Sequence, residues 1–169
     1  MLHSSHMSAP ERQEQRKTGI PRILTIGGQS TSTLRHRLER VMTLHESIMM
    51  ANSGFTTLPE PTQIELENLP LTSLGFTTRA TIGEVLKRAG SRGLDPVPAE
   101  AALYLPSAYE TQPMDEQLTM GMEPIPGIFD FLRVFTLVHR PNGLRLASTW
   151  AAPVDSWSPE SEFVFSKRK

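Results

Sequence analysis

The stretch FLRVFTLVHRPNGLRLASTW, residues 131–150, decides the fold. From Phe131 to His139 it is dense in Phe, Val and Leu, side chains that suit a pleated strand. Arg140-Pro141-Asn142-Gly143 is a turn signal, because Asn-Gly tolerates the positive φ of a tight hairpin turn. Leu144 to Trp150 should return as the second strand of that hairpin. Further on, Phe163-Val164-Phe165 reads as a closing strand. Upstream, Leu118, Met120 and Met122 alternate with Thr119, Gly121 and Glu123 as another strand, ended by Pro124 and Pro126.

The first half has a different period. Ile23 to Ile26 is a short β-branched run closed by Gly27-Gly28. Ser30, Thr31 and Ser32 offer N-cap oxygens, and Leu34, Leu38, Val41, His45, Ile48 and Met49 follow at spacings of three and four. That spacing predicts one amphipathic helix, stopped at Asn52-Ser53-Gly54, with His45 packed on its apolar stripe. Ile64, Leu66 and Leu69 predict a half-exposed strand. Thr81 and Glu84 form a capping box, and Ile82, Val85, Leu86 and Ala89 give the helix behind it a buried face. Pro98 is placed to start a further helix through Leu103. The order β-α-β-α and then mostly β predicts an α+β domain: an antiparallel sheet with two or three helices on one face, over residues 21–169. Residues 1–20 are polar, without apolar period, and predict a flexible lead-in; residues 1–7 are set aside from this reading.

The bulk numbers agree. The chain has 169 residues, 38% apolar and 21% charged, enough for one modest core. Its 14 prolines favour short elements joined by turns. No run nears the ~18 apolar residues that a membrane helix needs. Cysteine is absent, which excludes disulfides, thiolate zinc sites and a Cys nucleophile, and leans toward a reducing, cytoplasmic setting. The net charge of −1 is unevenly spread: residues 1–40 hold seven basic and three acidic groups, whereas residues 41–166 hold seven and fifteen.

Candidate chemistry is sparse. Gly27-Gly28 lacks the patterns of a dinucleotide or phosphate loop, so no cofactor is expected, and without a G-x-S-x-G elbow a serine hydrolase has no sequence support. His36 and His45, nine apart on one predicted helix, project from opposite sides, so no metal site is expected either. Glu100 and Glu123 lie among Pro, Ala and Met, where an apolar setting raises a carboxyl pKa toward acid–base use. Tyr104, Tyr109, Trp150 and Trp157 fall near turns and beside polar groups such as Gln112. The expected contact surface is therefore Glu100, Tyr109, Gln112, Glu123, Trp150 and Trp157, meeting in one concavity. Arg35, Arg37 and Arg40 mark a basic helix that could meet nucleic acid, the more so as Arg outnumbers Lys thirteen to four.

Several short pieces stand in order along the chain: Leu74-Gly75-Phe76 with Ala80-Thr81 and Glu84; Gly93-Leu94 with Pro98-Ala99-Glu100; Tyr109 with Gln112-Pro113; Met122-Glu123-Pro124-Ile125; and Gly143-Leu144, Trp150, Pro153, Trp157 and Phe163-Val164-Phe165 with Arg168-Lys169. With these the chain resembles, from about Ile23 onward, a group of small bacterial proteins to which no activity is assigned. Such relatives often carry Cys-Pro-Ala-Glu where this chain has Val97-Pro98-Ala99-Glu100, so the resemblance implies neither thiol nor metal chemistry there. The expectation is a cytoplasmic, non-enzymatic accessory domain binding a small polar ligand or a protein partner and no membrane. The alternatives are an enzyme using Glu100 or Glu123 as general acid or base, and a nucleic-acid-binding protein.

Overall fold

The computed structural model describes residues 19–169; the expected lead-in, with His3 and His6, falls outside them but for its last two residues. In chain order the elements are β1 (Ile23–Ile26), α1 (Thr31–Leu38), α2 (Leu44–Ala51), β2 (Thr62–Pro70), α3 (Ile82–Gly90), β3 (Leu94–Asp95), α4 (Ala101–Ala108), β4 (Gln117–Met120), β5 (Ile125–Pro126), β6 (Leu132–Arg140), β7 (Gly143–Trp150) and β8 (Glu162–Lys167). The class is α+β.

The hairpin forms as its sequence dictates, in unbroken register from Arg133↔Trp150 to Arg140↔Gly143. Because β7 covers one edge of β6, both β4 (Gln117↔Val138 to Thr119↔Thr136) and β5 (Ile125↔Arg133) must share the other. Beyond β4 lies β8, then β2 and β1. β3 extends the β4 row along β8 with Leu94↔Lys167. Thus β3, β4 and β5 together make one interrupted row between β8 and β6.

Two details depart from a purely antiparallel sheet with a closing C-terminal strand. The β4–β8 pair is parallel, Leu118 opposite Glu162 and Met120 opposite Val164, with the whole β5–β6–β7 excursion as its crossover. And β8, far from closing the sheet, lies inside it between β2 and β4. Its sequence carries the reason: Phe163, Val164 and Phe165 are all fully buried, as on a strand covered on both faces. Val134 to Leu137 of β6 are buried in the same way.

The helix predicted over residues 30–51 is two helices. α1 starts at Ser30, whose Oγ accepts the Thr33 N–H, and stops after Leu38. α2 restarts behind Thr43, where Glu46 closes a capping box: its Oε2 accepts from the Thr43 N–H at 2.8 Å and the Thr43 hydroxyl at 2.6 Å. The break rotates the second segment, so His45 is exposed and Glu46, Met49 and Met50 face inward. His36 and His45 therefore sit on different helices. The box at Thr81 and Glu84 stands as read, and Ile82, Val85 and Ala89 are buried behind it. α4 begins three residues later than Pro98; Ala101, Ala102 and Leu103 donate their N–H groups to the carbonyls of Pro98, Ala99 and Glu100 in tight turns.

Candidate functional site

The interruption of the middle row makes the site. After Met120 the backbone stays on β8 for one more bond, Gly121 N–H to the Val164 carbonyl at 2.8 Å, and then leaves the sheet. A Cβ on Gly121 would sit 2.5 Å from Cδ1 of Phe165 and 3.0 Å from the Val164 oxygen, so only glycine allows this approach. Met122 turns inward, 1% exposed, and its Sδ accepts the Phe135 N–H at 3.4 Å. A thioether thus stands where an unbroken strand would have placed a carbonyl.

Next to this gap, residues 54–58 and 96–100 frame a cleft of about 240 Å³, lined in part by Leu58, Val97, Glu100, Met122, Glu123 and Ile125. Its walls are mostly apolar, and among the described residues no Lys, Arg or His lines it. Glu100 is 1% exposed, and both its carboxylate oxygens take the same N–H, that of Leu58, at 3.2 Å. The first amides of α4 are already bonded to carbonyls, so they do not solvate it. Burial therefore pushes the Glu100 carboxyl above its ordinary value of 4.5, against a weaker downward pull from the Leu58 N–H. Glu123 stands exposed on the rim.

The other four residues of the expected contact surface lie elsewhere. Tyr109 and Gln112 are buried just past α4. The Tyr109 hydroxyl is pushed up to about 12 by burial and by its hydrogen bond to Glu116. Gln112 Nε2 donates to the carbonyls of Glu116 and Leu137, at 3.1 and 3.2 Å. Trp157 is buried edge-on against Phe163, ring centroids 5.5 Å apart, and its backbone bridges to Ala80. Trp150 is 61% exposed at the end of β7 and stacks on Phe131 at 5.9 Å. Only Glu100 and Glu123 share a concavity. The sequence places residues along strands, but whether a loop folds back over them depends on pairings more than forty residues apart, such as Leu58 with Glu100.

The basic trio divides as well. Arg35 reaches toward the Ser47 carbonyl at 3.5 Å and is half-buried, whereas Arg37 and Arg40 are exposed. Arg145 joins the latter two from β7, its Nη1 donating to the Arg40 carbonyl at 2.6 Å. Leu58, Met122 and Arg145 are the site residues that sequence reasoning missed. Met122 carried the signal of a strand side chain and not of a ligand to a backbone amide, and Leu58 and Arg145 carried none.

A second buried carboxylate shows what a satisfied one looks like here. Glu46, 2% exposed, takes the Thr43 N–H and hydroxyl on one oxygen and the Ser148 hydroxyl on the other at 2.6 Å. Arg133 clamps the same Ser148 through its hydroxyl and carbonyl, at 2.8 and 3.0 Å. This network ties α2 to the hairpin and gives Glu46 three donors, at least one on each oxygen. Glu100, by contrast, holds one N–H for two oxygens. Among the described residues no group of three His, Asp or Glu side chains is placed to hold a metal ion, and no helix is long and apolar enough to cross a membrane. Compared with family models, curated proteins and solved structures, the chain matches none, so the site is read from its own geometry.

Proposed function

We propose that the chain is a small-molecule-binding domain whose site is the Glu100 cleft, and that its ligand is a small amine or amide. The observation that carries this reading is a carboxylate buried to 1% exposure, with one backbone N–H and, among the described residues, no cation, on the wall of a mostly apolar cleft. Buried carboxylates are ordinarily paired or fully hydrogen-bonded. Glu100 keeps acceptor capacity for a donor group, and the exposed Glu123 adds a second acceptor at the mouth. With two carboxylates, mostly apolar walls and no Lys, Arg or His among the described lining residues, the cleft selects a compact N–H donor with an alkyl body and rejects anions. The chain has no cysteine to oxidise, in keeping with a reducing, cytoplasmic setting.

A titration of the labelled protein with primary alkylamines and aliphatic amides, followed by amide NMR shifts, tests this. The expected result is saturable shifts at Leu58, Glu100 and Met122. Glu100→Gln retains an acceptor for the Leu58 N–H but removes the charge, and should weaken amine binding about tenfold or more. No shift at those amides with either series, or equal affinity in Glu100→Gln, overturns the proposal. The raised carboxyl also supports a second reading, in which Glu100 is a general acid or base. Its signature would be conversion of the added amide to new species, abolished in Glu100→Gln.

A further inference from the structure

A second concavity shares no lining residue with the Glu100 cleft and has the opposite electrostatic character. It is a groove of about 410 Å³ between the end of α1, the end of α4 and the β6–β7 turn, with Arg37, Arg40 and Arg145 on its walls and Glu110 as its one carboxylate among the described residues. Among the described residues these three arginines make no ion pair with a carboxylate. Arg22, Arg140, Arg168 and Lys167 do, at 2.7 to 3.7 Å, and Arg35, Arg79, Arg88, Arg92 and Arg133 spend their guanidiniums on protein carbonyl or hydroxyl oxygens. The sheet register holds Arg145 in place: it lies opposite Val138, and its Nη1 is spent on the Arg40 carbonyl. Its Nε is buried without an acceptor. Arg37 is steadied by its guanidinium lying 5.3 Å over the Tyr104 ring. The C-terminal end of α1 contributes roughly −0.5 of a charge and Glu110 one negative charge, against three positive ones, so the groove keeps a net positive field.

We propose that this groove binds a phosphoryl group, held by the guanidiniums of Arg37 and Arg40 with the charge of Arg145 beside them. Phosphate oxygens match the paired N–H donors of a guanidinium, and three guanidiniums without a carboxylate partner among the described residues, around one depression, suit a multiply charged anion. Two sources present this chemistry, a small phosphoester and a nucleic-acid backbone. The site is assembled from α1 and the hairpin turn, which lie a hundred residues apart in the chain, rather than from the linear cluster of Arg35, Arg37 and Arg40.

The test uses the whole chain, amide and arginine Nε–Hε NMR signals, and two probes: inorganic pyrophosphate and a twelve-nucleotide oligo-dT. Pyrophosphate is expected to shift Arg37, Arg40 and the amides of residues 142–145. Arg37→Gln and Arg145→Gln should each weaken it about tenfold, whereas Arg22→Gln, just before the edge strand β1 and paired with Glu65, should not change it. Arg145→Gln removes the bond to Arg40; Arg37→Gln does not, and so separates lost binding from lost structure. If oligo-dT moves the same signals, with affinity falling between low and moderate salt at a log–log slope of about −2 to −3, the phosphate belongs to a nucleic acid. Response to pyrophosphate alone assigns it to a small phosphoester. No shift in the groove with either probe, or unchanged affinity in both groove variants, overturns the proposal.

Discussion

The two edges of β6 are built in opposite ways. Along one, β7 pairs without a gap from Arg133↔Trp150 to Arg140↔Gly143, and a two-residue turn supplies the register. Along the other, β4 and β5 pair with the two ends of the strand, and between them the Phe135 N–H points at sulfur. The hairpin closes a short loop at low entropic cost and meets every ladder requirement with its own residues. The interrupted row is gathered from residues 94–126, and it needs Gly121, Met122 and Glu100 in places that no ladder provides. The concavity with the under-satisfied carboxylate lies on this side. A regular ladder consumes its own donors and acceptors, so chemistry gathers where the ladder fails.

The largest way to break this contrast is a methyl group at the two glycines that bound the two regions. Gly143→Ala meets no atom within 4 Å and suffers only from its φ of 109°, an expected loss of about 1 to 2 kcal/mol. Gly121→Ala drives a Cβ into the Phe165 ring, which is fully buried and held between Trp157-backed Phe163 and the sheet. The ring cannot retreat without disturbing that packing, so the loss should reach about 3 kcal/mol. Urea unfolding of both variants checks the order. Equal losses would mean that the gap is plastic and that the tight approach of backbone to ring specifies nothing.

The same contrast governs what the sequence revealed. The hairpin, the capping box at Thr81 and the strand through Leu118 and Met120 were legible because each depends on neighbours within a few residues; the alternation of that strand was not kept, since Thr119 and Gly121 are buried as well. The split of the first helix was legible too: Thr43 and Glu46 repeat the spacing of Thr81 and Glu84, but the apolar period running through Val41 and His45 masked it. The position of β8 was half legible. Three consecutive buried-type residues, Phe163 to Phe165, signal a strand with two covered faces, yet nothing local says which strands flank it. The candidate site was least legible. Glu100 and Glu123 were singled out for their apolar neighbours, and they do share a cleft. The aromatic residues assigned to the same surface were distributed by strand register to other places: Trp150 to an exposed end of β7, Trp157 beneath Ala80 and Phe163.

A smaller and more local probe is the sulfur itself. Met122→Leu conserves volume and packing within the tolerance of such swaps but leaves the Phe135 N–H without an acceptor, at a cost of about 1 kcal/mol. The sharper readout is hydrogen exchange. The Phe135 amide should lose protection relative to its neighbours in β6, while the amides bonded across the hairpin should keep theirs. Unchanged protection at Phe135 would mean that the gap is bridged by something other than the thioether, and the difference between the two edges of β6 would shrink to one of length.

The smallest effect, and the one closest to function, is the pH dependence of Glu100. Burial raises its carboxyl above 4.5 in the folded chain, so the fold favours the neutral form. A group shifted in that direction contributes stability that is fully present below its unfolded value and is lost as pH rises through the folded one. Glu100→Gln is neutral at every pH and keeps the acceptor for Leu58, so it serves as the reference. The stability of the native chain minus that of Glu100→Gln should be level in acid, fall as pH climbs from about 4.5 through the raised value, and level off again above it; urea unfolding of both chains across this range measures it. Should the native chain instead gain on the variant as pH rises, the Leu58 N–H outweighs burial and the carboxylate is already content as an anion. Glu100 would then resemble Glu46, which takes two donors from Thr43 and one from Ser148 of the hairpin, and the acceptor capacity that recommends the cleft for an amine would be spent within the protein.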